Sequence, residues 1–466
     1  MSENFKRRKA KNSAARFFMF VACFVIVVAI AAGSVFVIDN FILDGKISDG
    51  NDIVSNITSS FNNTSSEPDK PEPITKVSTA TVVATGDLFV QSPIITNAKQ
   101  DDGSYNFDDI FQYLSEYTSK ADYAVANLET TLNGENNKYG GSPKFNCPDE
   151  IVDSLKTAGF DMLLTANSHS YDTNVDGMDR TLGVIGDKGL DALGTVKNAE
   201  DKNYIIKDIN GIKLGMICYT NETNDTDKVT LNGMTLKDDA ASRINTFSYG
   251  KLEEFYDKLE HQLKSMKNDG AEALVLFIHW GDEYQVKQSK DQQEMAQIMC
   301  DLGVDVIIGS HPHVVQPIEL LTSKNDSTHK TVCVYSLGNA VSNQRKESMS
   351  LKTGHTEDGM LFEFTFAKYS DGTVVLEDAD ALPFWVNMFN SARKGKRVYQ
   401  IIPLDTEKSD WKESFELVDS SEKKSQDSLE RTEKIIGQGL KEVKDYLKSA
   451  ENAYPKAESQ VTDTVS

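Results

Sequence analysis

A chain of 466 residues has room for one large domain or two ordinary ones plus extensions. Its 71 acidic residues against 49 basic ones give a net charge of -22, which argues against nucleic acid as a partner, because phosphate binding needs a basic face. The 22 Phe supply a real core, and the five Cys, widely spaced and without a CxxC pair, argue against a disulfide scaffold.

The first element is a basic segment, residues 1–16, carrying Lys6, Arg7, Arg8, Lys9, Lys11 and Arg16. Phe17–Ile38 follows without a single charge. As a helix rising about 1.5 Å per residue it is long enough for the roughly 30 Å hydrocarbon layer. Asp39, Asp44, Asp49 and Asp52 come next, so the positive-inside bias predicts a cytoplasmic N-terminus and an extracytoplasmic remainder at the cell membrane. Ala29-Ile30-Ala31 offers a signal-peptidase site, but the apolar run continues past it, which favours an uncleaved single-pass anchor. Residues 39–77 are rich in Ser, Asn, Thr, Asp and Pro and read as an extended extracytoplasmic tether.

The folded domain is predicted over 78–408, where strand and helix signals alternate. Phe107–Ser119 and Asp149–Ala158 have helical patterns, and Tyr123–Ala126 reads as a short buried strand. Asn210-Gly211 between two apolar runs predicts a hairpin. Helices are expected over Lys251–Lys267, stopped at Gly270, and over Ser289–Leu302, stopped at Gly303. Thr331–Tyr335 reads as a strand, and Gly359–Phe366 with Thr373–Glu377 as a closing antiparallel pair. The fold class is therefore α/β, with layered mixed β-sheets flanked by helices and the N-terminal transmembrane helix outside them. Residues 409–466 read as a charged helical extension. Within it, Leu429, Ile436, Leu440, Val443 and Leu447 make a narrow apolar stripe, suited to docking on the domain or to a short coiled coil.

Four apolar runs end in residues suited to binding a metal. Thr81–Ala84 leads to Asp87, Met162–Thr165 to Asn167 and His169, Ala273–Ile278 to His279, and Val304–Ile308 to His311-Pro312-His313. Glu129 follows the short strand at Tyr123 in the same way. Ligands of open α/β sheets bind beyond the carboxyl ends of strands, so these ends are expected to share one site. Carboxylates neutralise divalent cations, while imidazole suits Mn, Fe and Zn. Two such ions about 3.5–4 Å apart clamp a phosphoryl group, and a nearby His protonates a leaving oxygen. Four of the seven His fall in these segments, whereas His261, His329 and His355 receive no role.

The ordered strings Thr85-Gly86-Asp87, Asn127-Leu128-Glu129, Ala166-Asn167-Ser168-His169, His279-Trp280-Gly281-Asp282-Glu283-Tyr284, Gly309-Ser310-His311-Pro312-His313-Val314 and Tyr335-Ser336-Leu337-Gly338-Asn339 resemble the CapA-type poly-γ-glutamate capsule synthesis proteins. The domain of that family is a variant of the calcineurin-like metallophosphoesterase fold. The resemblance implies metal ligation by Asp87, Glu129, Asn167, His279, His311 and His313, with Glu129 bridging one or two divalent ions (Mn, Fe or Zn). It implies His169 as the acid, and Trp280, Glu283, Tyr284 and Asn339 as pocket residues. It also implies an anionic polymer, or the membrane synthase complex that makes it, as partner. Arg393, Lys394, Lys396 and Arg397 are a candidate basic patch for such a polymer. The chain departs from ordinary metallophosphoesterases at Phe89, where Asp-x-His would place an imidazole, and at Glu129, where Asp is customary. Ser168 and Ser310 stand where the CapA-type pattern more often has Asn and His, so the number of ions stays open. Two other functions fit the same residues: an extracytoplasmic phosphoesterase unrelated to a capsule, and a non-catalytic scaffold for a polymer synthase.

Overall fold

A computed structural model describes residues 73–451, apart from 225–226 and 409. The predicted anchor Phe17–Ile38 lies outside the described residues, among which no helix is long and apolar enough to cross a membrane. The first strand, β1 (Lys76–Leu88), starts two residues before the expected domain edge. It is followed by β2 (Tyr123–Asn127), β3 (Met162–Leu164), β4 (Asp191–Leu193), β5 (Ile205–Ile209) and β6 (Ile212–Asn221). Next come β7 (Thr230–Leu231), β8 (Met234–Thr235), β9 (Thr246–Phe247), β10 (Ala273–His279), β11 (Val306–Ser310) and β12 (Ile318–Thr322). The last are β13 (Lys330–Val334), β14 (Asn339–Val341), β15 (Asp358–Tyr369), β16 (Val374–Ser391) and β17 (Lys396–Pro403). The longer helices are α1 (Glu150–Thr157), α2 (Asn174–Asp187), α3 (Leu252–Asn268), α4 (Lys290–Asp301) and α5 (Asp419–Glu451).

Two mixed sheets carry the domain. One runs β17-β16-β15-β1-β2-β3-β4, with β14 beside the end of β1; the other runs β12-β13-β11-β10-β6-β5, with β9 beside β6. In the first, β1 to β4 are parallel; in the second, β6, β10, β11 and β13 are. Alternation along each strand explains the layering. Val82 and Ala84 of β1 meet Val275 and Phe277 of β10 in the core between the sheets. Val83 points to the outer side, among Ile151, Val152 and Leu155 of α1. Leu274, Leu276 and Ile278 pack outward on Phe255, Leu259 and Leu263 of α3 and Met295 and Met299 of α4. Strands covered on both faces read as unbroken apolar runs, which is how they look in the sequence.

The local signals act as expected at several turns. Asn210 (φ 53°) and Gly211 (φ 82°) make the left-handed turn between β5 and β6. Ser289 caps α4 in a reciprocal box with Gln292. The single helix expected over Phe107–Ser119 is instead two short ones, Asp108–Phe111 and Ser115–Thr118. The basic patch spans the turn between β16 and β17 and the start of β17. Lys394 is paired there with Asp109, and the Lys396 Nζ donates to the Asn97 carbonyl at 2.7 Å, so half of the patch is committed inside the domain.

Helix α5 lies across β16 and β12, one strand from each sheet. Its Ile436, Val443 and Leu447 are buried in the inter-sheet core, which accounts for the apolar stripe by docking. Arg431 grips Asp358 with two hydrogen bonds of 2.9 and 2.7 Å. At Gly439 the helix backbone comes so close that a Cβ would overlap the Ile318 carbonyl oxygen, whereas a Cβ on Gly437 meets open space. Gly437→Ala should therefore stabilise the protein by up to about 1 kcal/mol through helix propensity. Gly439→Ala should destabilise it by roughly 1–3 kcal/mol as overpacking outweighs that gain. Thermal melts of both variants check the opposite signs; equal shifts would mean that α5 is not seated this way.

Candidate metal centre

The sequence places Asp87 on β1, but alternation alone would aim it outward with Val83. The pairing of β1 with β2 shifts register between Thr85 and Asp87. Beyond that irregularity Leu88 and Val90 lie in the outer cluster, so Asp87 and Phe89 turn toward the space between the sheets. A one-residue slip of this kind inverts every later side chain. Gly86 permits it, because a Cβ there would collide with the Gly338 carbonyl. No such device is needed on β2, where Tyr123 and Val125 face inward and Asn127 continues that face.

Asp87 and Glu129 are completely buried, with His279 and His313 beside them. Two trios can each hold an ion: Glu129 with His279 and His311, and Asp87 with Glu129 and His313. Glu129 belongs to both. The His279 Nε2 lies 3.3 Å from Glu129 Oε1 and 3.0 Å from the His311 Nδ1. The His313 Nδ1 lies 3.2 Å from Asp87 Oδ2 and 3.9 Å from Glu129 Oε2. Ligand atoms about 2.0–2.2 Å from one tetrahedral ion sit roughly 3.3–3.6 Å apart, so these spacings suit a metal. Glu129 Oε2 is buried with no hydrogen-bond donor, an arrangement that is costly for a carboxylate unless a cation completes it. The residues present therefore fit a divalent metal.

The charges point the same way. Burial works against an ionised Asp87, but the hydrogen bond and charge of His313, with His279, outweigh it and hold the carboxyl below its ordinary value. Burial and the Asp87 charge oppose ionisation of Glu129, yet His279 and His313 keep it lowered too. His311 is pushed well below its usual value by burial and by the other two imidazoles, so it stands neutral and ready to ligate. His313 loses stability as a cation by burial, but Glu129 and Asp87 more than compensate and raise it to about 9. Without a metal, His313 supplies the positive charge that two buried carboxylates require. His311 (φ 97°) and His313 (φ 57°) both hold left-handed backbone, a strain that the surrounding contacts must sustain.

The remaining candidates surround this centre. The Asn167 Oδ1 accepts the His169 backbone N–H at 3.1 Å, and its Nδ2 donates to Asn127 Oδ1 and the Leu128 carbonyl. Its amide thus ties the Glu129 loop to the His169 loop. His169 points its Nδ1 at Asp172 Oδ2, 2.7 Å away, and packs edge-on against Phe145. Phe89 fills the place of the customary imidazole with a ring 4.4 Å from that of His313. Asn339 Oδ1 meets the His313 Nδ1 at 3.0 Å. Tyr284 is half-buried, and its hydroxyl accepts from Gln344. Glu283 is exposed. Trp280 corrects the pocket assignment: it is fully buried, donates to the Tyr335 carbonyl at 3.0 Å and packs behind the strand end.

Four contributors had gone without a role. Asn127 donates to Asp87 Oδ1 at 2.7 Å, and Ser168 donates to Glu129 Oε1 at 3.0 Å. Ser310 meets the His279 Nδ1 at 3.0 Å, leaving Nε2 for the metal side. Asp172 was visible three residues after His169, a spacing that allowed the pair to be suspected. A family model described as bacterial capsule synthesis protein PGA_cap matches residues 81–344, a span that contains every residue of both trios. This chain belongs to that family. The capsule biosynthesis protein CapA of Bacillus anthracis is 28% identical over 320 residues, covering 65% of this chain and 69% of the relative. The PGA biosynthesis protein CapA of Bacillus subtilis is 30% identical over 241 residues, covering 51% of this chain. The match spans only 57% of that second relative's length. Membership places the chain among capsule synthesis proteins. Strands β15 to β17 and helix α5 lie beyond the family match.

Proposed function

We propose that this chain is a membrane-anchored extracytoplasmic protein of anionic capsule polymer synthesis or export, with poly-γ-glutamate as the polymer, and that its metal centre belongs to a metallophosphoesterase-like hydrolase. The single observation that carries the hydrolytic part is the pair of carboxylate–imidazole trios sharing Glu129, beside the His169–Asp172 pair. A divalent ion of the Mn, Fe or Zn type, when bound, supplies Lewis acidity and a water acidic enough to attack at neutral pH. Glu129, His279, His311, Asp87 and His313 are the groups that would hold it. Asp172 orients the His169 ring, and the outer nitrogen, Nε2, is placed to give a proton to a leaving oxygen. Phe89 and Phe145 pack on that ring and restrict water around it.

The anchoring rests on the uncharged Phe17–Ile38 run behind six basic residues. One experiment tests both halves. Protease added to intact cells, after wall removal, should cut within residues 48–77 and release a soluble fragment. That fragment should carry a divalent metal and hydrolyse a phosphodiester or poly-γ-glutamate. A fully protected domain would end the anchoring reading. A released, metal-loaded fragment without hydrolysis would leave a metal-stabilised scaffold for the synthase.

A further inference from the structure

The hairpin β7–β8 reaches back over His169. Its turn residues Asn232 (φ 47°) and Gly233 (φ 70°) form the tip, and Leu231 anchors it with a fully buried side chain in the inter-sheet core. Gly233 N donates to the Thr223 hydroxyl at 3.1 Å, which ties the tip to the segment just after β6. The Asn232 side chain therefore sits on a supported turn. Its Nδ2 lies 2.6 Å from the Pro143 carbonyl, 2.8 Å from Asp172 Oδ1 and 3.3 Å from the His169 Nδ1.

An amide nitrogen has two protons. The two shortest contacts are to oxygens that can only accept, so they take both. No amide proton is left for the His169 Nδ1, which must itself donate to Asp172 Oδ2. Rotating the amide would set its oxygen against two acceptors, so the hydrogen-bond pattern also decides the orientation. Asp172 then receives three donors: Asn232 on Oδ1, and His169 with the Phe145 backbone N–H, 2.6 Å away, on Oδ2. With both of its oxygens engaged, the carboxylate cannot rotate away from the imidazole.

We infer that Asn232 is a positioning residue for His169: it locks the Asp172 carboxylate and thereby holds the Nδ1–H bond that fixes the ring, with Nε2 free to exchange a proton with the substrate. The inference rests on the hydrolase reading for its kinetic consequence, but not for the Nδ1 bond itself. The variant to use is Asn232→Gly. Glycine adopts the same left-handed turn without strain, so the hairpin is kept and only the amide is lost.

Two readouts on the full-length chain decide it. In histidine-labelled protein, nitrogen NMR should show His169 protonated on Nδ1 in the wild type, assigned by its loss in His169→Ala. In Asn232→Gly that Nδ1 proton should exchange faster with water and lose part of its downfield shift, because the carboxylate it bonds is held on Oδ2 alone. The second readout is hydrolysis: kcat should fall about tenfold, with KM nearly unchanged and metal content unaltered, less than the roughly 10²–10⁴-fold of general acid catalysis itself. In a His169→Ala background, Asn232→Gly should cost nothing further, because Asn232 acts through His169. An unchanged Nδ1 proton signal in Asn232→Gly would overturn the inference, as would an undiminished effect in the His169→Ala background. If the wild type hydrolyses no ester, the Nδ1 proton signal alone decides this inference, and the failed activity counts against the proposed function.

Discussion

Replacing Glu129 by Gln should empty both metal positions at once. Glu129 is the one residue common to the two trios, and its Oε2 is the buried oxygen without a donor. Glutamine keeps the shape and removes the charge that a divalent ion needs. Loss of groups that merely orient ligands typically weakens metal binding about 10–100-fold, so loss of a shared ligand should weaken it by at least about 100-fold. Metal analysis of the purified full-length variant should return little or no ion. Added metal should raise the melting temperature of the wild type and leave that of Glu129→Gln in place, since only a ligand that binds the folded state stabilises it. The exposed Glu254→Gln on α3, away from the site, is the control and should behave as wild type. Undiminished metal in Glu129→Gln would remove the shared-ligand geometry altogether.

His169→Ala should do the reverse: keep the metal and lose turnover. The His169 ring is absent from both trios, and its Nδ1 is engaged with Asp172. A positioned acid is worth about 10²–10⁴-fold, so turnover should fall by that much and no further. The loss should shrink for esters with nitrophenolate leaving groups, which need little protonation, and be full for alkyl esters. Comparing kcat on the two ester types checks this. An equal loss on both would assign His169 to substrate binding or to structure.

Much of this arrangement was legible in the sequence for a local reason. A strand buried on both faces must be an apolar run, and a polar residue can follow only where the strand leaves the core. The ends at Asp87, His279 and His311 therefore announced themselves. The turn at Asn210-Gly211 and the helix stop at Gly303 were legible for the same kind of reason, since short-range backbone geometry dictates both. The apolar stripe of α5 announced a docked face, though not what it docks on.

The tertiary structure alone decided which way those ends point and what they meet. The register shift at Gly86 turns Asp87 inward, and it exists because β1 must pass the Gly338 carbonyl more than 200 residues away in the chain. The His311 backbone N–H reaches Asp87 Oδ2 across a separation of 224 residues, because two different sheets are stacked face to face. Asn232 is an ordinary turn residue by sequence; it meets Asp172 only because the β7–β8 hairpin folds back over His169. By itself the sequence determined the layered α/β class, the family and the residue types able to hold a metal, because burial and backbone preference are written locally. Which carboxylate is shared, which imidazole stands outside the two trios and which oxygen is left without a donor depend on contacts between distant segments, and only packing sets those.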